Sequence, residues 1–368
     1  PATKELCEIL LPDSGHLQEE DAHYANKKGY SKHSPARPLY TAAEAERSLK
    51  LFHAVPFHKE KLLNRSGMTF SFTPNGHILG SACLHISDGE KTLVFSGDVG
   101  RQKDPIMRPP EPIEKADFLV VESTYGNRKH SEMDFAESLA EIINRTAARG
   151  GITLIPSFAV GRAQAVLHIL SELIKKHAIP ALPIYLNSPM AVDATRLFCE
   201  YATEHRLSER ECQELSSHTK YVQNEAESRA LNEISGPAII ISASGMATGG
   251  RVLHHLKKLA PNPRNSIVFV GYQAPGTRGD AMVKGAEEIK IHGAYIPVKA
   301  EVCNLDSLSA HGDYTEILRW LKHVKTSPEQ VFVTHGEPDA ADAMRCHIKD
   351  SLNWNVIVPE YLQKITLW

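Results

Sequence analysis

The sequence predicts an α/β protein in which one domain interrupts another. Two observations support this prediction. From about residue 125 to residue 300, short apolar runs alternate with amphipathic helical segments, which is typical of βαβ units around a parallel sheet. The segments before and after that block resemble each other more than they resemble the block. We therefore expect a first part over residues 1–124, an inserted α/β domain over 125–300, and the last part of the interrupted domain over 301–368.

The first part is predicted to begin with helices and to continue with strands. Residues 1–65 have helical patterning, and Thr41 and Glu44 have the spacing of a capping box. From Met68 to Phe95 the hydrophobic period changes from about 3.6 residues to about 2, which predicts strands in "MTFSF", "ACLHIS" and "KTLVFS". The apolar run "DFLVVE" at 117–122 is too short for a helix, so we expect another strand there.

The inserted domain and the last part continue the alternation. In the inserted domain we predict strands in "GITLIP", "PIYL" and "PAIIIS", and helices in "VGRAQAVLHILSELIKKH", from Met190, and in "GGRVLHHLKKL". In the last part we predict helices from Tyr314 and Pro338, and strands in "QVFVTH" and "NVIV". Ligands of such α/β folds bind beyond the carboxyl ends of the strands, so the loops that follow the strands are the candidate functional segments.

Composition and charge exclude several classes of protein. The 368 residues are 42% hydrophobic, which is enough for large buried cores, and a formal net charge of −3 does not indicate a general polyanion binder. Residues 251–300 nevertheless hold eight Lys/Arg against three Asp/Glu, so a local basic face is possible. The six cysteines lie far apart without a CxxC pair, and no apolar run approaches the roughly 18 residues of a membrane span. We therefore expect a soluble, cytoplasmic protein without disulfides.

Five ionisable residues have small neighbours and lie at or near the ends of predicted strands. A capped turn explains any one of them taken singly. Taken together, histidine and carboxylate side chains are the ligands that zinc takes in open hydrolytic sites, and an aspartate can bridge two ions. A two-metal site activates water at neutral pH and holds both the attacking and the leaving oxygen of a phosphodiester. The five residues are His77, Asp98, Glu122, His311 and His335.

These segments resemble those of the metallo-β-lactamase superfamily, in its β-CASP branch of RNA-processing nucleases, over nearly the whole chain and most closely in the bacterial members. The resemblance implies a metallo-β-lactamase αββα sandwich interrupted by an inserted β-CASP α/β domain with a parallel sheet. It implies that His77 binds one zinc ion, that His335 binds a second, and that Asp98 bridges both. Glu122 matches the acidic residue that opens the β-CASP segment. His311, in "SAHGDY", matches the histidine that acts as general acid or holds the scissile phosphate.

One family motif does not occur in this sequence. The HxHxDH string, which supplies further metal ligands, is absent, and the spacing of "LFHAVPFH" is wrong, so His53 and His58 are predicted to be surface or packing residues. In the family that string lies just upstream of a segment like "PATKELCEILL". We therefore expect the sandwich to be incomplete at its N-terminus and the chain to be a fragment. Catalytic zinc normally has three protein ligands and a water, so we expect this chain alone to bind zinc weakly or not at all and to be inactive.

Three loops of the inserted domain are rich in small residues and follow predicted strands. Glycine lets backbone N–H groups face a phosphate, and a helix N-terminus adds about half a positive charge. An ordinary βα turn also explains each loop, and core packing explains each of the two aromatic residues as well as base stacking does. No Lys-Ser/Thr pair follows the glycines, so nucleoside triphosphate hydrolysis is not predicted. The resemblance implies that these loops line an RNA-binding cleft. The candidate RNA-binding residues are Ser157, Phe158, Arg162, Ser244, Gly245, Gly249, Gly250, Arg251, Tyr272, Gln273, Thr277 and Arg278.

The resemblance implies a zinc-dependent ribonuclease that hydrolyses RNA phosphodiester bonds at a two-metal site between the two domains. Asp98, Glu122 and His311 are the expected catalytic residues. DNA-repair members usually have an apolar residue where this sequence has His335, which favours RNA as substrate. Two alternatives stay open: a non-catalytic RNA-binding scaffold of an RNA-processing complex, and a DNA-acting β-CASP nuclease. A homodimer is also expected from the family.

Overall fold

The structure is a computed structural model that describes residues 1–29, 31–63, 67–131 and 133–367. The chain divides into two compact units, and each unit contains its own large sheet. Unit 1 comprises Pro1–Ala54, Asp134–Ala202 and Leu207–Leu305, and unit 2 comprises Val55–Met133, Thr203–Arg206 and Asp306–Trp368.

Helices and strands alternate through most of the chain. The helices are α1 (Ala2–Lys28), α2 (Ala42–Leu49), α3 (Phe135–Ala148), α4 (Arg162–Lys175), α5 (Pro189–Glu200), α6 (Glu209–Ser217), α7 (Glu225–Ala230), α8 (Val252–Leu259), α9 (Arg278–Val283), α10 (Tyr314–Leu321) and α11 (Pro338–Leu352). The strands are β1 (Lys61–Leu62), β2 (Thr69–Pro74), β3 (Ala82–Ser87), β4 (Thr92–Phe95), β5 (Phe118–Glu122), β6 (Ile152–Pro156), β7 (Ile184–Asn187), β8 (Thr219–Tyr221), β9 (Ala238–Ser242), β10 (Ser266–Val270), β11 (Glu288–Ile291), β12 (Ala294–Pro297), β13 (Glu301–Leu305), β14 (Gln330–Thr334) and β15 (Val356–Ile357).

Unit 2 is built on a seven-stranded mixed sheet with the order β1-β2-β3-β4-β5-β14-β15. The pairs from β1 to β4 are antiparallel, and the pairs β4–β5, β5–β14 and β14–β15 are parallel. Apolar side chains of β4, β5 and β14 form one core with those of α10 and α11, among them the fully buried Trp320 and Met344. The indole N–H of Trp320 donates to the carbonyl of Glu111 at 2.7 Å, so its one polar group is satisfied.

Unit 1 is built on a six-stranded sheet with the order β13-β10-β6-β9-β7-β8, in which every pair is parallel. Every residue of β6, β9 and β10 is buried. This agrees with their continuous apolar runs, because helices cover both faces of a parallel sheet. A separate hairpin pairs β11 with β12.

Most of the predicted elements are confirmed. The strands expected between Met68 and Phe95 are β2, β3 and β4, and the capping box of Thr41 and Glu44 begins α2. Two details differ. Strand β1 lies inside the stretch that was predicted to be helical, because it pairs with β2 at the sheet edge, and residues 64 and 65 of that stretch lie outside the described residues. The six cysteines are free, and none of the described helices is both long and apolar enough to cross a bilayer.

The boundaries of the two units differ from the expected divisions at 124 and 300. Residues 1–54 belong to unit 1, where the hydroxyl of Tyr201 donates to Glu5 of α1 at 2.6 Å. Helix α1 also meets the start of α2 so closely that a Cβ at Gly15 would lie 2.6 Å from the Ala42 nitrogen. At the other end, β13 pairs with β10 along its whole length, so residues 301–305 belong to the parallel sheet. Both differences arise from long-range packing rather than from local sequence pattern.

Candidate active site

Five side chains meet at one edge of the seven-stranded sheet of unit 2. Asp98 and His335 follow β4 and β14, and Glu122 is the last residue of β5, which lies between those two strands and is parallel to both, so all three residues lie at the same edge. His77 comes from the turn after β2, which runs in the same direction as β4 because both are antiparallel to β3. His311 comes from the segment just before α10. The folded chain thus brings together all five residues that the sequence singled out.

The carboxylate of Asp98 lies between two histidines. Its Oδ2 is 3.6 Å from Nε2 of His77, and its Oδ1 is 3.2 Å from Nε2 of His335. The His77 side chain is 13% exposed and that of His335 is 60% exposed, so this centre is open to solvent on one side. A carboxylate with one oxygen facing each histidine has the arrangement that is needed to bridge two ions.

A tight turn holds His77 against the loop of Asp98. The side chain of the buried Asn75 donates to the carbonyl of Ser96 at 2.8 Å and accepts from the backbone N–H of His77 at 3.4 Å. The backbone N–H of Gly100 donates to the carbonyl of Asn75 at 2.8 Å. A Cβ at Gly100 would lie 2.7 Å from the His77 nitrogen and would overlap Gly76. The close approach of the two loops therefore requires a glycine at position 100.

His311 and Glu122 form a buried pair beside this centre. Nδ1 of His311 lies 3.0 Å from Oε1 of Glu122, whose side chain is 1% exposed. The same carboxylate accepts backbone N–H groups from Val99 at 2.7 Å and Thr124 at 3.1 Å. Burial alone would raise the pKa of Glu122, but the interaction with His311 and the hydrogen bonds from Thr124 outweigh it and hold that pKa below its ordinary value. Glu122 is therefore a carboxylate at neutral pH.

The His77 ring is close to the His311 ring and is neutral at physiological pH. The two ring centroids are 4.3 Å apart. Burial, followed by the neighbouring His311, lowers the pKa of His77 to about 4, although Asp98 and Glu122 oppose that shift. A neutral imidazole has a free lone pair, which is the form that ligates metal ions.

Backbone hydrogen bonds attach the His311 segment to the Asp98 loop. The backbone N–H of Gly312 donates to the carbonyl of Val99 at 2.7 Å, and Gly100 and His311 form an isolated antiparallel bridge. His311 is therefore positioned by the same loop that carries Asp98, although the two residues are far apart in the sequence.

A second set of buried polar residues supports this segment, and the sequence analysis did not identify it. Nε2 of His130 lies 2.8 Å from the carbonyl oxygen of His311, and the backbone N–H of His130 donates to Asp313 at 3.0 Å. Asp313 caps α10 in a capping box with Glu316. The capping box was visible in the sequence as "DYTE", but no local pattern in "NRKHS" marks His130.

The side chains that meet at this edge of the unit 2 sheet offer donor atoms that suit a metal ion. The ligand atoms offered by His77, Asp98 and His311 all lie within 4.8 Å of one another, and imidazole nitrogen and carboxylate oxygen are typical zinc ligands. His335 adds a further nitrogen on the other side of Asp98. His53 and His58 are exposed, as predicted, and Nε2 of His58 faces Glu111 at 3.4 Å.

The three small-residue loops of unit 1 also meet at one sheet edge. They follow β6, β9 and β10, which are neighbours in the sheet, so the loops are adjacent. A Cβ at Gly245 would lie 2.9 Å from the Phe158 ring, and the amide of Gln273 donates to the carbonyl of Gly245 at 3.3 Å. The Phe158 side chain is the most accessible of the large candidates in these loops, since that residue is 43% exposed.

Several of the candidate RNA-binding residues are engaged in the structure of the loops. Arg251 donates to Asn187 at 2.9 Å and to two backbone carbonyls, and Arg278 donates to the carbonyl of Lys290 at 2.6 Å and to two others. Thr277 caps α9. Contacts within the loops are also made by four further candidates, Ser157, Ser244, Gly250 and Gln273. Tyr272 is half-buried, and Arg162 begins α4. A Cβ at Gly249 would face open space.

Comparison with known families identifies domains over much of the chain. A model described as the Beta-Casp domain matches residues 163–282, and one described as a Zn-dependent metallo-hydrolase RNA specificity domain matches residues 295–359. Apart from residues 203–206, the first range lies within unit 1, and it includes α5 to α8 and most of α4. The second range includes both His311 and His335. The mixed α/β fold with parallel sheets agrees with these matches.

Three relatives have informative names. Ribonuclease TTHA0252 of Thermus thermophilus is 33% identical over 92% of this chain and 74% of its own length. Transcription termination factor FttA of Pyrococcus abyssi is 33% identical over 100% of this chain and 57% of its own length. An RNase J-like protein of Methanocaldococcus jannaschii is 31% identical over 81% of this chain and 70% of its own length. The chain thus spans about three quarters of the ribonuclease and little more than half of the termination factor. It belongs to the β-CASP branch of the metallo-β-lactamase superfamily, the branch of RNA-processing nucleases.

Proposed function

We propose that unit 2 of this chain carries part of the active site of a zinc-dependent ribonuclease that hydrolyses RNA phosphodiester bonds. The observation that supports it most strongly is the convergence of His77, Asp98 and His335 at one sheet edge, beside the pair of His311 and Glu122. When bound, two zinc ions would lower the pKa of a water molecule and stabilise the charge that develops on the phosphate oxygens.

Each of the three ligand residues has a separate role in this proposal. His77 and His335 would each hold one ion, because they face different oxygens of Asp98. Asp98, whose two oxygens face the two histidines, would hold both ions. The Asn75 side chain fixes the turn of His77 against the loop of Asp98, so these two ligands keep their relative positions.

His311 would protonate the leaving oxygen. Because Glu122 lies at Nδ1, we assign proton donation to the other ring nitrogen, Nε2. A buried carboxylate beside the ring stabilises the imidazolium form, which is the form that has an Nε2 proton to donate. The same cation can alternatively hold the scissile phosphate. Both roles require the pair of His311 and Glu122 to stay intact.

RNA is the proposed substrate, and the loops of unit 1 are its proposed contacts. The match to an RNA specificity domain and the names of the ribonuclease relatives support RNA over DNA. The exposed ring of Phe158 is suited to base stacking, and the open space beside Gly249 leaves room for a phosphate. The engaged arginines, Arg251 and Arg278, would act by shaping these loops.

The small number of ligands leads to a proposal about metal affinity. If two ions share His77, Asp98 and His335, each ion has about two protein ligands, whereas catalytic zinc normally has three and a water. We therefore propose that this chain alone binds zinc weakly and is inactive. The reading frame upstream of Pro1 would show whether an HxHxDH string supplies further ligands.

The test is a cleavage assay on zinc-loaded protein. A 5′-labelled single-stranded RNA and a DNA of the same sequence are incubated with this chain, with any longer product of the same gene, and with the Asp98→Asn and His311→Ala variants of each. In whichever zinc-loaded form is active, we expect RNA cleavage that both substitutions abolish. If both variants still cleave RNA, the proposed active site is wrong. RNA binding without cleavage in every zinc-loaded form would favour the scaffold alternative, and preferential cleavage of DNA would favour the DNA-acting alternative.

A further inference from the structure

A buried histidine lies directly behind the residue proposed as the acid. The His130 side chain is 4% exposed, and its Nε2 lies 2.8 Å from the carbonyl oxygen of His311. A carbonyl oxygen can only accept, so Nε2 of His130 must carry the proton. The backbone N–H of His130 donates to Asp313, two residues after His311. His130 therefore contacts both ends of the segment from His311 to Asp313.

The residues around His130 form a network of satisfied hydrogen bonds. Ligand atoms of His130, Asp313 and Glu316 lie within 4.8 Å of one another, which would also suit a cation. The carboxylates are already in use, however, because Asp313 accepts N–H groups from Thr315 and Glu316. Glu316 accepts the N–H groups of Gln102 at 3.1 Å and Asp313 at 3.2 Å. A cation would have to displace these donors, so the network is a structural support and not a metal site.

We propose that His130 is a positioning residue for His311. The inference rests on the proposed function, because it gives His311 its role there. The ring of His311 is held at Nδ1 by Glu122, while its backbone is held by His130 on one side and by the bond from Gly312 to Val99 on the other. Without the His130 donor, the His311 carbonyl loses a buried partner and the segment can shift. A displacement of about 1 Å at a reacting group can cost about 100-fold in rate.

Three variants of the chain test this proposal. His130→Leu removes the donor while keeping apolar bulk in the buried position. His130→Gln keeps a terminal N–H donor close to the place of Nε2, so it should act as the conservative rescue. His85→Ala is the matched control, because His85 is a half-buried histidine of unit 2 that is hydrogen-bonded to Thr73 at 2.9 Å. Should His130→Leu fail to fold, His130→Asn, whose amide is too short to reach the carbonyl, takes its place.

The first readout is the ring nitrogen spectrum of His311 in this chain, which needs no catalytic activity. At a pH at which the His311 ring is neutral, we expect long-range 1H–15N correlation spectra to show two distinct ring nitrogens, because Glu122 accepts the Nδ1 proton and Nε2 is then unprotonated. His130→Leu is expected to bring the two 15N shifts together through tautomer exchange. His130→Gln is expected to restore them, and His85→Ala to leave them unchanged. Unaltered His311 shifts in a folded His130→Leu variant would overturn the proposal.

The second readout is RNA cleavage by whichever zinc-loaded form is active. We expect His130→Leu to lower kcat about 10- to 100-fold with KM unchanged, and His130→Gln to recover most of the loss. Equal losses in the Leu and Gln variants would overturn the positioning role. If no wild-type form cleaves RNA, the proposed function fails, whereas the His311 spectra still decide whether His130 fixes that residue.

Discussion

Nδ1 of His311 lies 3.0 Å from Oε1 of Glu122, and the backbone N–H of Val99 donates to the same oxygen at 2.7 Å. One buried carboxylate thus connects His311 with the loop that carries Asp98. The relationship explains how two residues far apart in the sequence keep a fixed separation, and it makes Glu122 the first residue to test.

Replacing Glu122 with glutamine should remove the charge that stabilises the His311 imidazolium while keeping a similar shape. We expect the single-turnover rate of RNA cleavage by the active protein to fall about 100- to 10,000-fold, which is the usual contribution of general acid–base catalysis. Glu114→Gln is the control, because Glu114 is an exposed glutamate of unit 2 that pairs with Lys325. Equal rates for Glu122→Gln and wild type would exclude this role.

Replacing Asp98 with asparagine should weaken metal binding, since the amide cannot bridge two cations with two anionic oxygens. We expect zinc affinity, measured by competition with a chromophoric chelator, to fall at least about tenfold. The exposed histidine variant His58→Ala should bind zinc as wild type does. If His58→Ala lowered zinc affinity and Asp98→Asn did not, zinc would bind at a site other than the one proposed.

Replacing Gly100 with alanine should disturb the His77 turn. A Cβ at that position would lie 2.7 Å from the His77 nitrogen, so the two loops must separate. We expect the free energy of unfolding of the chain, measured in urea, to fall by about 1 to 3 kcal/mol, as overpacked sites usually do. Zinc affinity should fall as well.

Gly249→Ala is the matched control for that experiment, because a Cβ there would face open space. It should change the unfolding free energy little and leave zinc affinity intact. Tight zinc binding by Gly100→Ala would mean that the His77 turn does not contribute to the metal centre.

In unit 1, Arg145 and Arg149 both donate to the carboxylate of Glu301. This ion cluster should make the free energy of unfolding depend on pH. Hydrogen bonds from Arg145, joined by Arg149, outweigh burial and lower the pKa of Glu301 from 4.5 to about 2. Between pH 4.5 and about pH 2, the unfolded chain therefore binds more protons than the folded chain. The contribution of Glu301 to the free energy of unfolding is thus fully present above pH 4.5 and is lost as the pH falls towards 2. Solvent screens this cluster, so we expect an effect of about 1 kcal/mol or less.

Urea unfolding of wild type and Glu301→Gln between pH 6 and pH 3 measures that contribution. The variant should be less stable at pH 6, and the two curves should converge as the pH falls. Glu288 is an exposed residue of the same unit. The free energy of unfolding of Glu288→Gln should therefore differ from that of wild type by the same amount at every pH. A constant difference between wild type and Glu301→Gln across this interval would contradict the assigned pKa.

Replacing Phe158 with alanine should weaken RNA binding if its exposed ring stacks on a base. A stacked base contributes about 1 to 3 kcal/mol, so Kd for a single-stranded RNA should rise about 5- to 150-fold in fluorescence anisotropy. Tyr295→Ala is the control, since Tyr295 is a 63% exposed aromatic residue of unit 1 on the separate hairpin. Equal affinities for wild type and Phe158→Ala would assign that ring to loop packing alone.

Local pattern was sufficient to predict most of the fold and the members of the candidate site. The alternation of apolar runs predicted β2 to β7, and positions at or just after strand ends indicated His77, Asp98 and Glu122 as candidates. The strand predictions succeeded because strand period and turn chemistry depend on near neighbours in the chain. The single missing string, HxHxDH, also led to the prediction of weak metal binding by this chain.

Four features depended on contacts between distant segments. Residues 1–54 pack in unit 1, and strand β13 pairs with β10, although neither has a sequence pattern that assigns it there. Arg251 and Arg278, which had the sequence context of phosphate ligands, donate to acceptors within their own unit. His130 reaches the carbonyl of His311 across 181 positions of the chain.

The sequence by itself determined which side chains have the chemistry for metal binding and proton transfer, because residue type and strand-end position are local properties. Only the tertiary structure decided which of them meet, since a contact between distant segments depends on the packing of whole strands and helices. That is why Asp98 was predictable as a candidate ligand, whereas the buried residue behind His311 became visible only in the folded chain.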